Sequence, residues 1–266
     1  DSSSSSRSSD SCELIFFPDM KVQLQNQVAL VTGAAGAIGQ AICASLAANG
    51  AKVVFADINL EGAQKLAAAT PGAMALRMDV TSEAEIESAM NEIITAHGRL
   101  DILVNNAGIM VRGARLELPD DQCRRMFEIN VIGTLLCSRY ALPPMIGQQG
   151  GRIINLSSQM GHVGGPTRTV YCATKHAMEG FSKAMAIELA PHNIRVNTLA
   201  PTFIETPMTR PFFQNEAFRA DTLKRIKLGR LGQMEDLTGA IVFLASDAAA
   251  LMTGTSLVVD GGWTAE

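Results

Sequence analysis

The sequence predicts an α/β fold: a single doubly wound parallel sheet of about seven strands with helices on both faces. Three observations carry that reading. Short apolar runs of strand length alternate with longer segments whose apolar residues recur at helical spacing. A run of small residues, Thr32 to Gly39, falls between the first such strand and the first such helix. An acid, Asp57, closes the second strand. Right-handed crossovers then bring every strand's C-terminal end to one edge, where ligands bind.

Val28 to Val31 is a strand of the buried type, and Ile38, Ile42 and Leu46 mark a helix closed by Asn49-Gly50. Val53 to Ala56 is the second strand, and Leu60 to Ala69 a helix ended by Pro71-Gly72. Ala75 to Met78 is the third. Ser82 with Glu85 forms a capping box for a helix carrying Ile86, Met90, Ile93 and Ile94, closed by Gly98. Ile102 to Val104 is the fourth strand, followed by one long helix from Asp120 to Arg139. Ile153 to Leu156 is the fifth. A helix from Thr169 to Ala190 ends at Pro191. Val196 to Leu199, a helix at Leu237 to Leu244 and a last strand, Ser256 to Val259, complete the pattern.

The 266 residues suit one large α/β domain or two small ones, with 47% apolar and 18% charged residues. A net charge of −4 gives no footprint for nucleic acid or an anionic membrane. No apolar run reaches spanning length. Cys12, Cys43, Cys123, Cys137 and Cys172 show neither metal-ligand nor disulfide spacing, which points to a reducing cytoplasm. Cys172 is a reactive thiol or a small buried filler. Residues 1–19, with their serine tract, read as vector sequence or a disordered extension, and residues 20–266 as the catalytic domain.

The chemistry centres on Tyr171 and Lys175, which share one helix face at i, i+4. A free phenol titrates near pH 10; a fixed cation stabilises the phenolate. Bringing it to about 7 takes roughly 4 kcal/mol, so a second positive group, such as an oxidised nicotinamide, is implied.

The residues after each strand supply the rest. Thr32 to Gly39 approaches T-G-x-x-x-G-x-G, with Ala37 where a middle glycine would stand. Gly33, Ala37, Ile38 and Gly39 let a pyrophosphate rest on the helix N-terminus, as in Rossmann-type sheets. Asp57 is placed for adenosine ribose hydroxyls, or else caps the next helix. No basic residue lies near it to hold a 2′-phosphate, so NAD is expected. Asp79-Val80 contacts adenine or forms a plain turn. Asn105-Asn106-Ala107-Gly108 fixes a loop and admits the cofactor, with Asn106 among its contacts. His97, His162, His176 and His192 show no metal spacing, and no metal is expected.

In their order these motifs resemble the short-chain dehydrogenase/reductase family from Lys21 to Glu266. The Gly-rich turn, N-N-A-G, the N-x-x-G of Asn130 to Gly133, S-S, Y-x-x-x-K and the late D-G-G all occur. The resemblance implies a tetrad: Tyr171 as acid/base, Lys175 lowering its pKa and holding nicotinamide ribose, Ser158 on the substrate oxygen, and Asn130 holding a relay water. Ser157 competes with Ser158; the thirteen-residue spacing to Tyr171 favours Ser158. It also implies that the Ile204 backbone and the Thr206 hydroxyl meet the carboxamide. Thr202 stands where the family carries a glycine with an unusual backbone angle.

The substrate walls are expected from Ile109 to Arg115, Gln159 to Arg168 and Phe203 to Gly229, the last a mobile lid. Their mixed polarity suits a small polyhydroxy substrate, with Gln159 lining the pocket and Arg168 taking a carboxylate or lying at the surface. His162 lines the pocket or sits on the surface. The expected reaction oxidises a secondary alcohol of a sugar, sugar acid or keto-deoxy sugar acid in a homotetramer. A 3-oxoacyl-(acyl carrier protein) reductase and a catalytically silent NAD-binding regulator are the alternatives.

Overall fold

The computed structural model describes residues 22–113, 117–207 and 209–266. The reading of the N-terminal serine tract, and the wall positions Ala114 and Arg115, lie outside them. Seven strands form one sheet: β1 (Val28–Thr32), β2 (Lys52–Asp57), β3 (Met74–Arg77), β4 (Ile102–Asn105), β5 (Gly151–Leu156), β6 (Ile194–Pro201) and β7 (Ser256–Val259). Their order is β3-β2-β1-β4-β5-β6-β7, and every pairing is parallel. The chain reverses direction across the sheet between β1 and β4, which opens a crevice at the strand ends.

Both faces of the sheet are covered. On one, α1 (Ala37–Ala48), α2 (Leu60–Ala68) and α8 (Met234–Ala245) bury Ile42, Leu46, Ala63, Leu237, Ile241 and Leu244 against Ala29, Val31 and Phe55. On the other, α3 (Glu83–His97), α5 (Thr134–Gly147) and α6 (Thr169–Leu189) bury Ile86, Ile93, Ala141, Met145 and Met185 against Leu30, Leu103 and Val196. Strands covered on both faces read as unbroken apolar runs, which is why they were visible in the sequence.

The structure corrects three expectations. The helix expected from Asp120 to Arg139 is in two parts, α4 (Asp120–Phe127) and α5, joined by a π-helical turn at Glu128–Gly133. α5 also runs on to Gly147 through Pro143 and Pro144. Burial of Cys137, Ala141 and Met145 holds that helix where its prolines would break it. The capping box is half formed: Ser82 Oγ accepts from Glu85 N at 3.4 Å, but the Glu85 carboxylate turns to Asp79 N at 2.9 Å and to Arg77. Thr202 has no left-handed backbone angle, so the threonine is unstrained there.

The expected lid is built, not bare loop. A short 3₁₀ turn (Arg210–Gln214) and α7 (Glu216–Arg225) fold it. It packs through rings: Phe203 lies 5.7 Å from Phe213, 5.9 Å from Phe218 and 5.7 Å from Trp263.

Candidate active site

All four tetrad residues come from elements that end on the crevice side of the sheet. Tyr171 and Lys175 lie in the first two turns of α6, Ser158 just after β5, and Asn130 in the π turn. Lys175 Nζ stands 5.7 Å from the centroid of the Tyr171 ring, so amine and phenol share a face as the spacing requires. The ammonium is buried and donates to the Leu156 carbonyl at 2.6 Å. It has three donors; among the described residues this is its one hydrogen bond.

The electrostatics correct one expectation. Tyr171 is not held below the ordinary phenol range in the protein alone. Burial pushes it up to about 12, against a pull downward from its hydrogen bond with Ser158 and from Arg168. Lys175 is lowered to about 8 by burial, with the Glu179 carboxylate, one turn on, opposing the drop. Desolvation is the largest influence on each group, raising the phenol and lowering the amine.

Ser158, not Ser157, is the serine whose hydroxyl pulls the phenol's pKa downward. Its Oγ accepts from Met160 N at 3.1 Å and lies 3.4 Å from Gln159 Oε1, which is itself buried. Ser157 Oγ is buried without a partner. Asn130 is braced: its Oδ1 accepts from Ile109 N at 2.8 Å, and its Nδ2 donates to Ile109 O at 2.9 Å and Thr174 Oγ1 at 3.2 Å. The side-chain amide thus clamps the loop after β4 to α6. Asn130 Oδ1 keeps a second lone pair, and its main-chain carbonyl accepts from Thr134 Oγ1 at 3.1 Å. The π turn is the local distortion that aims Asn130 inward, a frequent device at functional sites.

At the other end of the crevice the Gly-rich turn is tightly built. A Cβ on Gly39 would fall 2.3 Å from Gly33 O, and one on Gly33 (φ +63) 2.9 Å from Ala107 Cα. Asn106 Nδ2 donates to Thr32 O at 2.9 Å and Gly33 O at 3.0 Å, and Thr32 Oγ1 accepts from Asn106 N and Ala107 N. Ala37 and Ile38 open α1 in helical conformation, which alanine favours. Asp57 does not cap α2; Asn59 does, accepting from Gly62 N at 3.1 Å. The Asp57 carboxylate accepts from Ala35 N at 2.9 Å and Asn59 N at 2.8 Å, which ties β2 to the turn. A carboxylate has about four acceptor sites, so room remains for two hydroxyls. Arg77 sits opposite Asp57 in the ladder but is engaged by Glu85.

Asp79 forms a turn, with Oδ1 accepting from Thr81 N at 2.9 Å and Thr81 Oγ1 at 2.7 Å; the first of these bonds does most to lower its pKa. Val80 is buried under Gly133. Ile204 O accepts from Thr209 Oγ1 at 2.7 Å, and Thr209 N donates to Thr206 Oγ1 at 3.1 Å. Sequence reasoning missed Thr209, although T-x-x-T is a signal for such a turn. It also missed Glu179, whose carboxylate accepts from Thr198 Oγ1 at 2.9 Å and lies 3.3 Å from His162 Nε2. His162 sits at the surface, exposed, and reaches this buried acid from there. Cys172 is the buried filler of the two readings. Among the described residues no His, Cys, Asp and Glu group could hold a metal, and no helix is long and apolar enough to cross a membrane.

A family model described as Enoyl-(Acyl carrier protein) reductase matches residues 33–264. The 3-oxoacyl-[acyl-carrier-protein] reductase of Thermotoga maritima is 38% identical, covering 91% of this chain and 99% of its own. The meso-2,3-butanediol dehydrogenase of Serratia marcescens is 37% identical, covering 92% and 97%. A solved gluconate 5-dehydrogenase from Burkholderia cenocepacia, in complex with NADP and tartrate, superposes with a TM-score of 0.89 at 34% identity, over 93% of this chain and 98% of that one. The chain belongs to the short-chain dehydrogenase/reductase family and is an oxidoreductase acting on CH–OH groups.

Proposed function

We propose that the chain oxidises a secondary alcohol of a sugar, sugar acid or keto-deoxy sugar acid, and reduces the matching ketone in reverse, with NAD as its cofactor. The observation that carries this is the convergence of the Ser158 hydroxyl and the Lys175 ammonium on Tyr171 at the strand-end edge. The residues present fit a dinucleotide. Gly33 and Gly39 allow the tight turn that would let a pyrophosphate rest at the start of α1, Asp57 keeps acceptor capacity for ribose hydroxyls, and Lys175 keeps two donors. A nicotinamide held there would supply the hydride acceptor for the carbinol carbon.

The chain's own residues handle the proton. Tyr171 accepts it from the alcohol, and Ser158 donates to the developing oxyanion, a preorganised stabilisation. Lys175 favours the phenolate once an added positive charge overcomes the burial that now holds the phenol near 12. Asn130 keeps the Ile109 peptide and α6 in register. Asp79, Val80 and Asn106 line the adenine and ribose side, and Ile204 and Thr206 the carboxamide side. Asp57 favours NAD, because its charge would meet a 2′-phosphate and its nearest cation, Arg77, is engaged. A homotetramer is supported by the half-exposed last strand β7 and by exposed Phe127, Ile132 and Ile187 on α4, the π turn and α6.

A second reading, reduction of 3-oxoacyl thioesters, is favoured by the Thermotoga relative. Assaying NAD and NADP with sugars, sugar acids, polyols and a 3-oxoacyl thioester separates the two. Turnover of polyhydroxy substrates with NAD is the expected result. Turnover confined to the thioester with NADPH overturns the first reading.

A further inference from the structure

Arg168 is 4% exposed and is paired with no carboxylate among the described residues. The one hydrogen bond of its guanidinium there goes to Pro166 O at 3.2 Å. A guanidinium has five N–H donors in a rigid fork, and burying one without a counter-charge is unfavourable far beyond what ring contacts return. Those contacts are its Cζ at 5.2 Å from the Phe203 centroid and 6.0 Å from that of Phe218.

Arg112, exposed, approaches the same ring. Its Cζ lies 5.1 Å from the Phe218 centroid and 5.5 Å from that of Phe212. Its Nε lies 3.3 Å from Thr167 Oγ1, and Gly113 N donates to Thr167 O at 3.1 Å, so its loop is pinned beside Arg168. Arg112 too lacks a carboxylate partner among the described residues. Of the lid's three acids, Glu205 is spent on Arg210 and Gln233 and Asp221 on Arg225, while Glu216 is exposed and pairs with neither arginine. Two cations thus repel each other across one aromatic wall, and Arg168 sits below its ordinary pKa through burial first and Arg112 second. Arg168 also lies close enough to Tyr171 for its charge to act on the phenol.

We propose that Arg112 and Arg168 together form a carboxylate clamp, so that the natural substrate is a hydroxy acid held by its anionic end beside Tyr171. This rests on Tyr171 as the proton-transfer residue and deepens that reading by fixing the charge of the substrate. A bound carboxylate supplies the missing counter-charge and fills the unused donors of Arg168, and a planar fork suits it better than an ammonium would.

The test is a calorimetric titration of the full chain, with NADH or NADPH present, using threonate and its neutral counterpart threitol. Threonate should bind wild type at least about tenfold more tightly than threitol, the scale of one charge-assisted bond. Arg112→Met and Arg168→Met should each weaken threonate by about tenfold or more and leave threitol within about twofold. Arg168→Lys, which keeps charge and loses the fork, should fall between. If Arg168→Met fails to fold, Arg112→Met and Arg168→Lys carry the comparison. Equal affinity of wild type for both ligands, or parallel losses of both in the variants, overturns the clamp and leaves the two arginines as lid packing. A failure of the Tyr171 reading shows separately, as turnover that survives Tyr171→Phe.

Discussion

Lys175 Nζ stands 5.7 Å from the Tyr171 ring centroid while its hydrogen bond runs the other way, to Leu156 O at 2.6 Å. The amine is thus fixed to the sheet by one bond and faces the phenol with its remaining donors. Its burial is unfavourable to the folded state. The ordinary amine value of 10.5 falls to about 8 on folding, so between these pH values the unfolded chain binds the extra proton and stability rises with pH. Lys175→Met should remove that burden at pH 7 and stabilise the fold by roughly 1–3 kcal/mol while abolishing turnover. Thermal unfolding at pH 7 and at pH 10, where the gain should shrink, checks both halves.

Glu179 opposes the loss of charge on Lys175. Facing that carboxylate are His162 at 3.3 Å, Thr198 and Ser256. Glu179→Gln should let the amine deprotonate at lower pH, so the alkaline limb of the rate profile moves to lower pH. A profile unchanged in Glu179→Gln would limit the acid to packing.

Asp57 accepts from Ala35 N and Asn59 N and so both shapes the turn and sets its charge. Asp57→Asn should raise KM for NAD by about tenfold, the scale of lost charge-assisted bonds. It should improve use of NADP at the same time. Steady-state kinetics with the two cofactors give the ratio, and a ratio unmoved by the change would remove Asp57 as the discriminator.

Thr202 Oγ1 is buried without a partner beside a cavity of about 120 Å³ lined also by Ile204, Ile226 and Val259. Thr202→Val should therefore stabilise the fold by about 1 kcal/mol, since it removes an unmade hydrogen bond. Thr202→Gly should destabilise it, because no left-handed angle calls for glycine there. Denaturant midpoints compare the two.

The strands and most helices were legible because doubly covered strands are continuous apolar runs and the crossover helices carry one apolar stripe. The tetrad was expected from the family resemblance, and the fold brings Tyr171, Lys175, Ser158 and Asn130 to the crevice side of the sheet. What the sequence concealed depends on partners far along the chain. The π turn at Asn130 is tied to Ile109 and Thr174, and α5 persists past two prolines through burial. The upward push on Tyr171 comes from desolvation, which no motif encodes. The pairing of Arg112 with Arg168 required the fold to bring residues fifty-six apart onto the Phe218 ring.

The most direct measurement is the turnover number of Tyr171→Phe on whichever hydroxy acid or polyol wild type oxidises, with cofactor affinity measured on the same sample. The phenol oxygen as proton acceptor predicts a fall of about 10²–10⁴-fold in kcat with cofactor binding nearly intact. Turnover within a few-fold of wild type, cofactor still bound, would contradict it.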